Sequence, residues 1–178
     1  MTNELVVLVD EHGNCIGTEE KMAAHQKGLL HAAFSVFVFN SNHEMLLQRR
    51  AQHKYHSGGL WTNTCCSHPR PNETTDSAAH RRLVEEMGFD CPLQYKFEFI
   101  YHAKLDLGMT EHELDQVLFG YSDTLPKPNP AEVCEYRYID LTSLEAELKQ
   151  YPERYTAWFK LSYQQVRQHW LKLIKQVA

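Results

Sequence analysis

The chain has 178 residues, 43% of them hydrophobic and 23% charged, an ordinary globular composition and enough chain for one well-buried domain. Its formal net charge of -5 excludes a global attraction to nucleic acid or anionic membrane, so an anionic ligand has to be held by a local basic cluster or a metal. No apolar run approaches the roughly 18 residues of a membrane span, and five cysteines without paired spacing or a secretory leader point to reduced thiols in a cytoplasmic protein.

Leu5 to Val9 reads as an apolar strand, and the turn Asp10 to Asn14 leads to a partner beginning at Cys15 to Thr18, so a hairpin opens the fold. The following stretch carries Lys21, His25 and His31 to the entrance of a strong strand, AAFSVFVFN, rich in β-branched and aromatic residues. A turn at Asn40 to His43 precedes a second strand, MLLQRR, which delivers Arg49 and Arg50 with Lys54 four residues on, a local basic cluster. Beyond residue 90, Gln94 to Ala103 reads as a strand with Tyr95, Phe97, Phe99 and Tyr101 on one face, and after a loop at Gly108 the period of two aligns Glu111, Glu113 and Asp115. A last strand, CEYRYID, a short helix, LTSLEAELKQ, and a longer helix from Thr156 to Lys175 with Trp158 near its start complete the chain. No repeat, low-complexity tract or linker divides it, so residues 1–178 are read as a single domain.

The stretch Trp61 to Gly88 concentrates the chemistry. Its first part alternates like a strand, which puts Cys66 and His68 on one face and Cys65 and Ser67 on the other. After Pro69 and Pro71, a helix capped by Thr74, Thr75 or Asp76 runs to Gly88. Ala79, Leu83 and Met87 form its buried stripe, and at 100° per residue Glu86 falls about 20° from Ala79, an acid facing the core.

His25, His31 and His68 with Glu111 and Glu113 have the mixture of imidazole nitrogen and carboxylate oxygen that a divalent metal of the zinc or manganese kind takes. A hydrogen-bonded histidine and a solvated strand edge are the ordinary alternatives. Cys66 beside His68 fits an activated thiol, against the alternative of an inert buried one. Lys21, Arg50 and Lys54 have the chemistry to grip phosphate, though scattered basic residues are as readily solubilising. Trp158 reads as core.

Taken together these residues resemble a known family. Ser67 to Phe89 follows the Nudix box G-x5-E-x7-R-E-U-x-E-E-x-G-U, with Glu73, Arg81, Leu83, Glu85, Glu86, Gly88 and Phe89 in place, Ser67 at the first glycine and Arg82 where hydrolases carry glutamate. The segments TNTCCSHP, YHA with EHE downstream and RRAQHK are similar to those of type I isopentenyl-diphosphate delta-isomerases, over roughly residues 4 to 165. That resemblance implies an α+β fold, a Nudix-type mixed β-sheet sandwiched between helices, with an N-terminal strand extension and C-terminal helices. It implies one Mn2+, Zn2+ or Mg2+ on His25, His31, His68, Glu111 and Glu113, a further Mg2+ arriving with the substrate and held by Glu86, and phosphate contacts from Lys21, Arg50 and Lys54. Cys66 and Glu113 are then the catalytic pair, with Tyr101 beside the glutamate and Trp158 over the carbon skeleton. The implied protein is a cytoplasmic monomer of isoprenoid biosynthesis that interconverts isopentenyl and dimethylallyl diphosphate, partnered by this small molecule and by neither nucleic acid nor membrane. Its pocket is expected to be deep, closed by the N-terminal segment or the C-terminal helix, with the diphosphate at the mouth. A Nudix hydrolase, motivated by Glu73, Arg81, Glu85 and Glu86, and a metal-stabilised binding module are the competing readings.

Overall fold

The structure is a computed structural model in which residues 4–177 are described. Strands β1 (Leu5–Val9) and β2 (Cys15–Glu20) form the opening hairpin. Helix α1 (Lys21–Lys27) follows, an element the sequence reading leaves unassigned. It has barely two turns, and it is held by its ends: Glu20 accepts from the Ala23 N–H at 2.8 Å, and Gly28 closes it in the left-handed region at φ 64°.

Strand β3 (His31–Phe39) is the centre of a nine-stranded mixed sheet. It pairs antiparallel with β1, with β4 (Met45–Arg50) and with β6 (Cys65–Ser67), and parallel with β8 (Thr110–Tyr121). β7 (Leu93–Lys104) lies antiparallel on β8, while β5 (Trp61–Thr62) and β9 (Val133–Ile139) pair with β4.

The period of two along β3 builds two cores. Phe37 and Phe39 face α3 (Leu141–Gln150) and α4 (Ala157–Val177), packing with Phe119, Leu144, Trp158, Phe159 and Trp170. Val36 and Val38 face α2 (Thr75–Met87), packing with Leu46, Cys65, Leu83 and Met87. The sheet is therefore sandwiched between helices, as expected.

Three expectations need correction. Residues 61–68 are two short strands rather than one alternating strand. β3 and β4 pair only at Phe39 and Met45, and the chain crosses the gap between them. There Thr64 Oγ1 accepts from Val38 N and donates to Leu46 O, and Asn63 Nδ2 donates to the carbonyls of Val36 and Cys65, so side chains replace the missing ladder. Ser67, read as pointing away from Cys66, lines the same cavity, because β6 ends there and the alternation stops. Tyr95 does not share the face of Phe97 and Tyr101: a bulge between Tyr95 and Phe97 turns it outward, 56% exposed.

Candidate active site

Strand register assembles the first part of the site. The parallel pairing of β3 with β8 sets His31 opposite Glu113, and the antiparallel pairing of β7 with β8 sets Tyr101 opposite the same glutamate. β6 flanks β3 on its other side and places Cys66 opposite Ser35. His25 comes from α1, its Nδ1 directed at Lys21 O four residues back at 2.8 Å. Glu111, Glu113 and Asp115 are all buried, so the solvated-edge alternative falls. Asp115 is not part of the cavity lining: Ser35 Oγ donates to it at 2.8 Å, and burial together with the Glu113 charge raises its pKa well above the ordinary carboxylate value.

The cavity, about 40 Å³, is lined by Cys66, Ser67, His68, Tyr101, Glu111, Glu113 and Trp158 and also by the charged residues Lys21, Arg50, Lys54, Arg82 and Glu86. His25 and His31 lie fully buried beside it, with ring centroids 5.4 and 4.9 Å from that of His68. The structure thus brings every sequence-predicted site residue to one place. The Trp158 end of α4 forms one wall, and a lid from the first residues of the chain falls partly outside those described.

The metal-type donors meet a geometric test. His31 Nε2, His68 Nε2 and Glu113 Oε1 are separated by 3.2, 2.9 and 3.4 Å. Neighbouring donors on one ion with bonds of about 2.1 Å lie about 3.0 to 3.4 Å apart. His25 Nε2 is buried with no hydrogen-bond partner among the described residues, and donor atoms of His25, His31, His68 and Glu113 all fall within 4.8 Å of one another. Glu111 keeps that spacing with His25 and with His56, a residue sequence reasoning missed. Burial lowers His25, and it takes His68 to about 4 and His56 to about 2, so these rings are neutral and able to donate a lone pair. The residues fit a divalent cation.

Proton affinities are set apart within the carboxylate pair. Burial, and then the Glu113 charge, push Glu111 well above the usual range. Burial alone would raise Glu113 too, but its hydrogen bonds with His31 and His68 hold it well below. The Tyr101 hydroxyl stands between the two carboxylates, 3.0 Å from Glu111 Oε2 and 2.6 Å from Glu113 Oε2, and its one proton serves one of them at a time. Burial also drives Cys66 upward, so the free protein holds a thiol.

The basic residues of the cavity are mostly paired within the protein. Lys54 pairs with Glu132, Lys21 with Glu4 at 3.0 Å, and Arg82 with Glu85 and Glu86 at 2.7 and 2.6 Å. Arg50 lies 5.2 Å over the Trp158 ring and donates to His56 O at 3.3 Å. Glu86 accepts also from Gln48 at 2.7 Å, and the Trp158 indole donates to Asn63 Oδ1 at 3.2 Å. His56, Arg82, Gln48 and Asn63 carry no signal of their own in a single sequence, although Arg82 is already visible as a departure from the Nudix box.

A mixed sheet between helices, with a box loop whose Glu73 clamps Arg81 of the following helix, defines a Nudix domain, and the NUDIX domain family model matches residues 29–159. Solved structures agree on the fold: DR0079 from Deinococcus radiodurans superposes with a TM-score of 0.69 at 17% identity, covering 83% of this chain and 90% of that one. The MutT protein from Methanosarcina mazei Go1 gives 0.64 at 19%, covering 78% and 94%. Sequence relatives are narrower. The isopentenyl-diphosphate Delta-isomerase 2 of Photorhabdus laumondii is 51% identical over 97% of this chain and 99% of its own. That of Aromatoleum aromaticum is 55% identical over 86% and 81%. The chain belongs to the isopentenyl-diphosphate Delta-isomerase family.

Proposed function

We propose that the chain interconverts isopentenyl diphosphate and dimethylallyl diphosphate, adding a proton at C4 and removing one from C2 through a tertiary cation at C3. The single observation carrying the mechanism is that Cys66 and Glu113 line one cavity from strands on opposite sides of β3, with Tyr101 bonded to the glutamate. An alkene is a weak base, so the proton donor at C4 has to be strong. In the isopentenyl complex Glu113 carries the proton and delivers it to C4 while the Cys66 thiolate takes the proton from C2, so the pair ends with Glu113 ionised and Cys66 protonated, and the reverse reaction exchanges the roles. With Cys66 protonated and Glu113 ionised, the free protein holds the charge distribution of the dimethylallyl side.

Trp158 supplies its ring face to the cation, worth roughly 2 kcal/mol when desolvated. That is a minor part of the 8 kcal/mol or more, roughly, that an enzyme typically removes, so fixed electrostatics and exclusion of water carry the rest. His25, His31, His68, Glu111 and Glu113 would hold a divalent ion, Mn2+, Zn2+ or Mg2+. Its charge, when bound, strengthens the acid at Glu113.

Lys21, Arg50 and Lys54 take the diphosphate, with Glu86 holding a Mg2+ that accompanies it. Their present partners Glu4 and Glu132 stand where phosphate oxygens compete, so binding exchanges internal ion pairs for ligand ones. Residues 1–178 act in this reading as a single Nudix-like isomerase domain, a cytoplasmic monomer without nucleic-acid or membrane partners. Among the described residues no helix is long and apolar enough to cross a membrane, and one sheet joins all nine strands, both in keeping with it.

The test is conversion of isopentenyl to dimethylallyl diphosphate by the purified protein and by Cys66→Ala and Glu113→Gln. Both variants are expected to lose turnover while keeping the wild-type fold. Full activity in either variant overturns the catalytic roles of Cys66 and Glu113.

A further inference from the structure

His56 has no part in the isomerase reading, yet its ring sits where the elements of that reading meet. It is 3% exposed, edge-on to Trp158 with centroids 5.8 Å apart, and its carbonyl accepts from Arg50. Its Nε2 has no hydrogen-bond partner among the described residues and lies 3.5 Å from Glu111 Oε1. A buried polar atom left without a partner keeps the full cost of leaving water, and a ligand filling that position removes the cost.

The design of His25 and His31 shows what the ligand is. In both, Nδ1 pairs with a main-chain carbonyl, Lys21 O and Leu29 O, each at 2.8 Å, which leaves Nε2 for the cluster. Metal-binding imidazoles carry their second nitrogen on an oxygen in this way, which fixes tautomer and ring orientation. The Ser57 hydroxyl, 3.3 Å from His56 Nδ1, gives His56 the same arrangement. His25, His56 and Glu111 offer donors all within 4.8 Å of one another, and the His56 ring is 5.7 Å from that of His25, against 5.4 Å for His68; His56 stands outside the group of His25, His31, His68 and Glu113, so an ion held by all six residues draws the two groups together about His25.

We infer that His56 Nε2 is a metal donor of this centre, joining Glu111 to close the side of the ion that His31, His68 and Glu113 do not reach. His25 belongs to both donor groups, and its one free lone pair serves one ion, so the two groups surround a single ion rather than two. Four imidazoles and two carboxylates complete an octahedron. The ion then acts on the reaction through Glu111 and Glu113 and offers the substrate no open position. The loop that carries Lys54 and caps Arg50 is tied to the same ion, so metal loading organises the phosphate grip. The inference rests on the isomerase reading only for the presence of a divalent ion.

The experiment uses chelator-stripped protein reloaded with Co2+ for visible absorption, and with Mn2+ for pulsed electron paramagnetic resonance that counts coordinated imidazole nitrogens. Wild-type protein should show four such nitrogens and the weak bands of six-coordinate Co2+. His56→Ala should show three, a more intense five-coordinate spectrum restored by added imidazole, and metal affinity lower by about 100-fold, the upper end of what losing even an outer partner costs. Three nitrogens in the wild type, or an unchanged Co2+ spectrum in a folded His56→Ala, overturns the inference, even if affinity falls. The wild-type count decides the matter if the variant does not fold. Turnover is measured on the same wild-type sample. Four nitrogens without isomerisation would sink the isomerase reading alone, and isomerisation with three would sink this one alone.

Discussion

Replacing Tyr101 by Phe removes one oxygen atom and leaves a ring of nearly the same volume in a site that is 7% exposed. What disappears is the hydroxyl that bonds Glu113 at 2.6 Å and Glu111 at 3.0 Å. The shorter bond runs to an ionised carboxylate, and hydrogen bonds to charged groups contribute about 1.5–3 kcal/mol. If that loss falls wholly on the transition state, at about 1.36 kcal/mol per factor of ten, kcat should fall about 10- to 150-fold. KM should change little, because Tyr101 stands at the carboxylates and the diphosphate is gripped elsewhere. The assay follows isopentenyl diphosphate by proton NMR in D2O, where deuterium entering the new methyl group reports the C4 step directly. A kcat within twofold of wild type, at unchanged melting temperature, would refute a role for the Tyr101 hydroxyl in proton transfer at Glu113.

The loop before α2 depends on Glu73, which accepts from Arg81 Nε and Nη2 at 2.7 Å each and from Arg70 N at 2.9 Å. The Arg81 hydrogen bonds are the main cause that lowers its pKa to about 2. Because the folded value is depressed, this stability is present above about pH 5 and is lost as pH falls toward 2. The full shift corresponds to about 3 kcal/mol and solvent screening leaves about 1–2. In urea titrations Glu73→Gln should therefore be the less stable protein at pH 7, and the two curves should converge near pH 2. A gap that persists there would show the pair is not the source. Gly88→Ala is expected to lose about 2–5 kcal/mol. The position is left-handed at φ 71°, and a Cβ would lie 2.2 Å from Lys127 O. A melting temperature within about 2 °C of wild type would contradict that. Chelation of the divalent ion should lower the melting temperature by about 5–10 °C if the ion was present at about 100 times its Kd, and re-addition should restore it; no change would argue against a bound structural ion.

What sequence alone makes legible is whatever depends on local spacing. The α2 helix ends where its signals place it: Thr74 Oγ1 accepts from Ser77 N, and Gly88 closes the helix in the left-handed region. The acids of β8 share a face, and Glu86 is buried as the helical period requires. Neighbourhood is another matter. That His31 lies opposite Glu113 follows from a parallel pairing between strands some 80 residues apart, and no local period encodes it; the family resemblance supplies it instead. Helix α1 escapes a sequence reading because a seven-residue helix is fixed by its caps and packing rather than by a repeated apolar stripe. Tyr95 is misplaced by the period of two because a bulge shifts the phase of a strand without any composition cue. His56 sits in a loop stretch, where a histidine looks like any other until the fold turns its Nε2 toward Glu111.

Ion pairing on the box helix explains why the chemistry lies on the sheet. In a Nudix hydrolase the position of Arg82 is a glutamate, which adds negative charge to a metal-binding face. In this chain Arg82 spans Glu85, Glu86 and, at 3.4 Å, Glu132, so the same face is largely neutralised from within. Glu73 and Arg81 are occupied with each other and serve as a clip between loop and helix. With its carboxylates engaged, the helix serves in the proposed reading as a platform for a phosphate group and its counterion. The two groups to which we assign proton exchange with carbon, Cys66 and Glu113, lie on strands that flank β3 from opposite sides, and Phe34 and Ser35 of β3 line the cavity between them. Backbone ladders fix that spacing, whereas a loop-borne pair would drift. A reaction that needs an acid and a base at two separate carbons of one bound chain is served by that arrangement, and one that activates a water at phosphorus is not.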